Sequence, residues 1–173
     1  MDELKKMELI GIVFTIIFGT LLHFTYDWSG NSVIVSLFSP VNESIWEHLK
    51  LLFFPYIVYS IFEYFYVGSK YNNYATAKIL GVISGLIAIP VIFYLYTSLI
   101  ENNLVLDILT FIVSVIISYV VSYYLLKNQS IEFNGSSIAI VLFIMFLFFA
   151  FTYNPPKTEL FLDPITNTYG ISQ

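Results

Sequence analysis

Both histidines of the chain, His23 and His48, fall in one short polar region that ends at Lys50 and also holds Asp27, Asn31, Asn42, Glu43 and Glu47. His23 and Asp27 are four residues apart and share a face if they lie on a helix. Glu43, Glu47 and Lys50 share a face on the next apolar segment, with His48 about 100° round from Glu47. Two imidazoles and three carboxylates form a nitrogen and oxygen donor set suited to one divalent metal ion. His23, Asp27 and His48 are the expected ligands, and Glu43 and Glu47 the expected acid-base carboxylates, an arrangement that fits metal-assisted hydrolysis. Helix architecture accounts for part of the same region. Ser44 and Glu47 have capping-box spacing, Asn42 is a second cap candidate, Glu43 suits a helix N-terminus, and Glu47 can pair with Lys50.

The elements that hold these residues are set by composition. The 173 residues are 58% hydrophobic, 19% aromatic and 11% charged, with a mean hydropathy of +0.80, whereas a soluble domain carries roughly 25% charge. Most of the chain therefore belongs in lipid, which excludes an ordinary soluble enzyme and a disordered chain. Seven lysines, no arginine and twelve acids give a net charge of -5. That balance repels nucleic acid and offers no bidentate grip on phosphate. There is no cysteine, so thiolate chemistry, disulfides and Cys-type zinc sites are absent.

Five stretches, near 7–26, 46–67, 76–99, 104–126 and 136–153, are long enough to cross a hydrocarbon core of about 30 Å. The expected fold is an all-α polytopic transmembrane bundle over 1–153 with an extracytoplasmic tail over 154–173. The first stretch follows Lys5 and Lys6 but has no small-residue cleavage site, so it reads as a retained helix and not a signal peptide. Thr76, Asn103 and Ser136 are the expected N-caps. With the N-terminus inside, Lys5, Lys6, Lys70, Lys78 and Lys127 lie on the cytoplasmic side and only Lys50 and Lys157 outside, which favours N-in and C-out. The excess acid then faces the exterior, where it attracts cations.

Small residues recur every four positions at Ala77, Gly81 and Gly85 and again at Ser114, Ser118 and Ser122. Such stripes let helices approach closely, within one chain or against a second copy or another membrane protein through Gly81 and Gly85. The serines could instead line a hydrophilic path that, with Glu63 inside the second span, would serve a cation or small-solute transporter. Glu63 can also snorkel to the cytoplasmic interface. A non-catalytic partner subunit is a third reading. Trp28 and Trp46 bracket the 29–44 connection as interfacial anchors, and the connection itself reads as a re-entrant or interfacial segment. The tail, with turns at Asp163-Pro164 and Thr168-Tyr169-Gly170, folds over the outer face as a lid or frays.

No H-E-x-x-H, G-x-S-x-G, Walker or dinucleotide glycine motif occurs, so the familiar hydrolase and nucleotide-binding signatures are excluded. Three blocks carry a resemblance: His23-Phe24-x-Tyr26-Asp27-Trp28-Ser29-Gly30-Asn31-Ser32, then Pro40-Val41-Asn42-Glu43-Ser44-x-Trp46-Glu47-His48-Leu49-Lys50, and Asp163-Pro164-x-Thr166-x-x-Tyr169-Gly170-Ile171. Together they resemble a family of small bacterial polytopic membrane proteins of unassigned function. Asn167 stands where that pattern has glycine, and asparagine also tolerates a left-handed backbone. The resemblance implies a multi-pass protein of the bacterial cytoplasmic membrane in contact with lipid. It supplies no activity.

Overall fold

The computed structural model describes residues 2–129 and 131–171. Among them the regular structure is helical: α1 (Glu3–Trp28), α2 (Val33–Ser36), α3 (Ile45–Tyr66), α4 (Tyr74–Thr97), α5 (Leu104–Asn128) and α6 (Asn134–Tyr153), with 3₁₀ turns at Gly68–Lys70 and Glu159–Phe161. Four helices, α1, α4, α5 and α6, are long and apolar enough to cross a membrane, so the chain is a helical membrane protein. Asn103 caps α5, its side chain accepting from Leu106 N at 3.1 Å. The other two expected caps lie inside helices. Asn73 takes the N-cap position of α4, which frees the Thr76 hydroxyl to accept from Phe133 N at 2.8 Å and tie α4 to the start of α6. Ser136 falls in the first turn of α6, which begins at Asn134.

The remaining long helix, α3, is of a different kind. It runs for 22 residues and carries Glu47, Lys50 and Glu63, all of them buried. Twelve of its residues are buried, more than in any other helix, so it is the centre of the bundle. It packs against α1 and α4 and touches α6, while α5 closes against α1 and α4. Leu52, Phe53 and Tyr56 of α3 meet Val115 and Tyr119 of α5 and Phe148 of α6 in the main core. Taking three ionisable groups into the protein keeps them from hydrocarbon, where charge is costly.

The small-residue stripes meet each other. A Cβ on Gly81 would lie 2.7 Å from Ser118 O, and one on Gly85 would lie 2.9 Å from both Ser114 O and Leu52 Cδ1. The face that the sequence offers to a partner chain is thus occupied by α5 of the same chain. Ser114 and Ser118 donate to Thr110 O and Ser114 O of their own helix, at 2.7 and 3.1 Å. They fill a helix contact, and only Ser122 reaches another side chain, Glu8 Oε1, at 3.0 Å. Gly85→Val is expected to lower stability by about 1–3 kcal/mol through overpacking. Thermal unfolding in detergent reads this directly, and an unchanged midpoint would show that the α4–α5 contact is looser than these distances require.

The tail folds back on the bundle end that carries the histidines. Phe161 packs on Trp46 with ring centroids 4.8 Å apart, and the Asn42 side chain donates to Gly170 O at 2.9 Å. Asp163 organises the turn, accepting from Ile165 N at 2.9 Å and the Thr166 hydroxyl at 2.7 Å. Asn167 follows with φ of 55°, the left-handed conformation that asparagine tolerates. Trp46 is accordingly half-buried under the tail, packed on Phe148 at 5.0 Å, and only Trp28 is exposed as a membrane-belt residue would be.

Candidate metal centre at one end of the bundle

Antiparallel packing of α1 on α3 brings the last turns of one helix beside the first turn of the other. The connection between them is pinned from both sides. Ser39 Oγ donates to Leu22 O at 2.7 Å and accepts from Tyr26 N at 3.2 Å, which locks the chain onto α1. From the α3 side, Lys50 Nζ donates to Ser36 O at 2.9 Å and Ser39 O at 3.3 Å. Ser44 caps α3 by accepting from Glu47 N at 3.3 Å. The return half of the capping box is made by Asn42, whose side chain accepts from Ser44 N at 3.0 Å. Asn42 thereby fixes the residue that lies between it and the cap, Glu43.

The outcome is a compact triangle of donor atoms. His23 Nε2 and His48 Nε2 are 3.1 Å apart, and Glu43 Oε2 lies 3.8 Å from the first and 3.4 Å from the second. These three residues are the group among the described residues able to hold a metal ion. A tetrahedral zinc ion with ligands at about 2.0–2.1 Å keeps them roughly 3.3 Å from one another, close to the spacing of this triangle. The His48 ring is already oriented for the task. Its Nδ1 lies 2.9 Å from Ser44 O, and because a carbonyl only accepts, Nδ1 carries a hydrogen and Nε2 is the nitrogen turned toward the other donors, free to ligate once it carries no proton of its own. A hydrogen bond from His48 holds the Glu43 carboxyl below its ordinary value.

The other two residues expected here go elsewhere. Asp27 is exposed and outside the donor group, because four residues beyond His23 it has advanced about 6 Å along the helix axis. Glu47 is buried one turn deeper than Glu43. Its Oε2 accepts from Lys50 Nζ at 2.6 Å and Val41 N at 3.1 Å, and its Oε1 accepts from the Thr152 hydroxyl at 3.3 Å. Those bonds anchor the connection, and Glu47 is not among the residues that line the cavity beside the triangle.

A cavity of about 540 Å³ opens beside the triangle, with His23, His48 and Glu43 in its wall. Apolar side chains from α3, α4 and α5 and from the tail, among them Ile89, Phe93, Phe111 and Ile165, form most of the remaining lining. Asp107 of α5 and Glu159 of the tail also bring carboxylates to this wall, and Asp107 accepts a hydrogen bond from Tyr96 OH. Sequence spacing does not connect Asp107 with the histidines. In the first turn of α5 it reads as an ordinary complement to the helix dipole, and the one hint is its place at the same end of the bundle.

Fold and site together define a multi-helix membrane protein with a three-donor polar centre opening onto an apolar pocket. The chain belongs to the Family of unknown function (DUF6512), whose model matches residues 1–171. No curated protein and no solved structure matches it.

Proposed function

We propose that the chain is a five-span protein of a bacterial cytoplasmic membrane that binds one divalent metal ion on His23, His48 and Glu43 and uses it to hydrolyse a lipid-borne or other extracytoplasmic substrate. The observation that carries this reading is the donor triangle, spaced for a tetrahedral ion and open on one side to the cavity. Three protein ligands with a free fourth position are the pattern of catalytic zinc, whereas structural zinc is closed. An ion there would polarise a carbonyl or phosphoryl oxygen and lower the pKa of a bound water. Asp107, in the same wall, would be the general base for such a site. The apolar lining suits an acyl chain, and the tail residues Leu162 and Ile165 cover it.

One feature supports an orientation with the N-terminus inside. Burial of Lys50 and Lys78 leaves Lys5, Lys6, Lys70 and Lys127 exposed at the end of the bundle holding the N-terminus, against Lys157 at the other. Positive charge of that distribution marks the cytoplasmic side. As a fifth span, α3 would cross with its charges paired inside the protein.

The test is turnover by metal-loaded protein in nanodiscs, with fluorogenic lipid carboxylic esters, amides and phosphoesters. Hydrolysis of one class is expected, abolished by chelation and by His48→Ala, and lowered roughly 10²–10⁴-fold by Asp107→Asn, the usual contribution of a general base. A metal-loaded protein that hydrolyses none of the three classes contradicts the hydrolase reading.

A further inference from the structure

At the opposite end of the bundle three ionisable side chains from three helices meet away from water. Lys78 Nζ of α4 lies 3.0 Å from Glu8 Oε1 of α1 and in direct contact with Glu63 Oε2 of α3. Their exposures are 3%, 4% and 0%, so Glu63 does not snorkel to the interface. Ser122 donates to Glu8 Oε1 at 3.0 Å, and Tyr74 OH lies 3.1 Å from Glu63 Oε2. The partners therefore gather on one oxygen of each carboxyl. Glu8 Oε2 and Glu63 Oε1 are buried with no hydrogen-bond partner, and so is the nearby Tyr56 OH.

Charge counting exposes a deficit. The remaining titratable groups around the cluster are the phenols of Tyr56 and Tyr59 on α3, Tyr74 on α4 and Tyr119 on α5, and phenols are neutral at pH 7. Lys78 sits 5.3–5.7 Å from the ring centroids of Tyr56, Tyr74 and Tyr119, within cation–π range of all three. One ammonium thus faces two carboxyls. With both ionised, the interior would hold an uncompensated negative charge, which a low-dielectric environment strongly disfavours. A metal cation is a poor remedy, because the ammonium already occupies the space between the carboxyls and would repel it. A proton needs no coordination shell and would also supply a donor to a group that has free acceptor oxygens.

We propose that Glu8 and Glu63 share one proton, so that Glu8, Lys78 and Glu63 form a neutral proton-binding site within the bundle. The proton exchanges with water through a second cavity, about 560 Å³, whose wall includes Lys78, Tyr74 and Asn134. This site is separate from the metal centre and does not depend on it.

Infrared spectroscopy of the full chain in nanodiscs at neutral pH reads the bound proton through the C=O stretch of a protonated carboxyl, which is distinct from the carboxylate bands. The wild type is expected to show this band and to shift it in D₂O without unfolding. Glu8→Gln and Glu63→Gln, each nearly isosteric with a protonated glutamate, are each expected to abolish it. Either change leaves one carboxylate against Lys78, a neutral pair that needs no proton. Absence of the band in the wild type overturns the proposal, as does its survival in either variant, which would place the proton on one carboxyl independently of the other. A band in the wild type that does not move in D₂O overturns exchange through the cavity.

Discussion

Lys50→Met is expected to destabilise the protein by roughly 3–5 kcal/mol, the usual cost of removing one partner from a buried ion pair. The Lys50 ammonium is fully buried and reaches four acceptors: Glu47 Oε2 and Thr152 Oγ1 at 2.6 Å, Ser36 O at 2.9 Å and Ser39 O at 3.3 Å. The variant leaves the Glu47 carboxylate without its counter-ion and two backbone carbonyls without a donor. Against a total stability of about 5–15 kcal/mol, the loss is large. Removing both charges in Glu47→Gln/Lys50→Met should recover much of it, because no unpaired charge then stays inside. Unfolding of detergent-solubilised protein in a denaturant series measures both effects. A Lys50→Met protein as stable as wild type would contradict the anchoring role assigned to the pair. The same variant should weaken metal binding, since Lys50 holds the segment that leads into Glu43.

This anchor also shows what the sequence conveys and what it does not. Long apolar stretches announce the helices, and the four that meet both length and apolarity lie within about one turn of where hydropathy places them. His23 and His48 are legible as a pair because they are the two histidines of the chain and flank one connection between consecutive helices. The assignment of the carboxylates is harder. Asp27 shares a helix face with His23, but one turn of rise carries it away from the level of His48. Glu43 and Glu47 have the spacing of one helix face, yet α3 begins only at Ile45, so Glu43 stands before the Ser44 cap as a half-exposed donor and Glu47 lies inside the first turn as a buried structural charge. That distinction depends on Lys50, Thr152 and Ser39, which lie on α3, α6 and the connection and have no common spacing.

Charges near span ends mislead in the same way. Lys50 and Lys78 are assigned to opposite sides of the membrane when each segment is taken alone, and Glu8 lies near a helix end too, where a polar group has water within reach. The structure buries all three because each has a partner on a different turn or helix. A clue was present: Glu8, Glu63 and Lys78 sit at similar distances from the same end of α1, α3 and α4. Adjacency of those helices, which only the packing reveals, turns that coincidence into a contact. Asp107 and Tyr96 came into view for a related reason, since the cavity that contains Asp107 is assembled from helices far apart in the chain.

Elemental analysis of protein purified without chelators reads the occupancy of the metal centre on His23, His48 and Glu43. The wild type, as isolated or after reconstitution with zinc, manganese or iron, is expected to hold near-stoichiometric metal. His23→Ala/His48→Ala should hold none while keeping its fold, because both side chains are partly exposed, 31% and 28%, and removing them creates no large cavity. Glu43→Gln should bind weakly, and Asp27→Asn should bind as the wild type does, since its carboxylate is outside the donor triangle. Wild-type protein that retains none of these metals, or a double variant that retains metal at the wild-type level, would contradict the account.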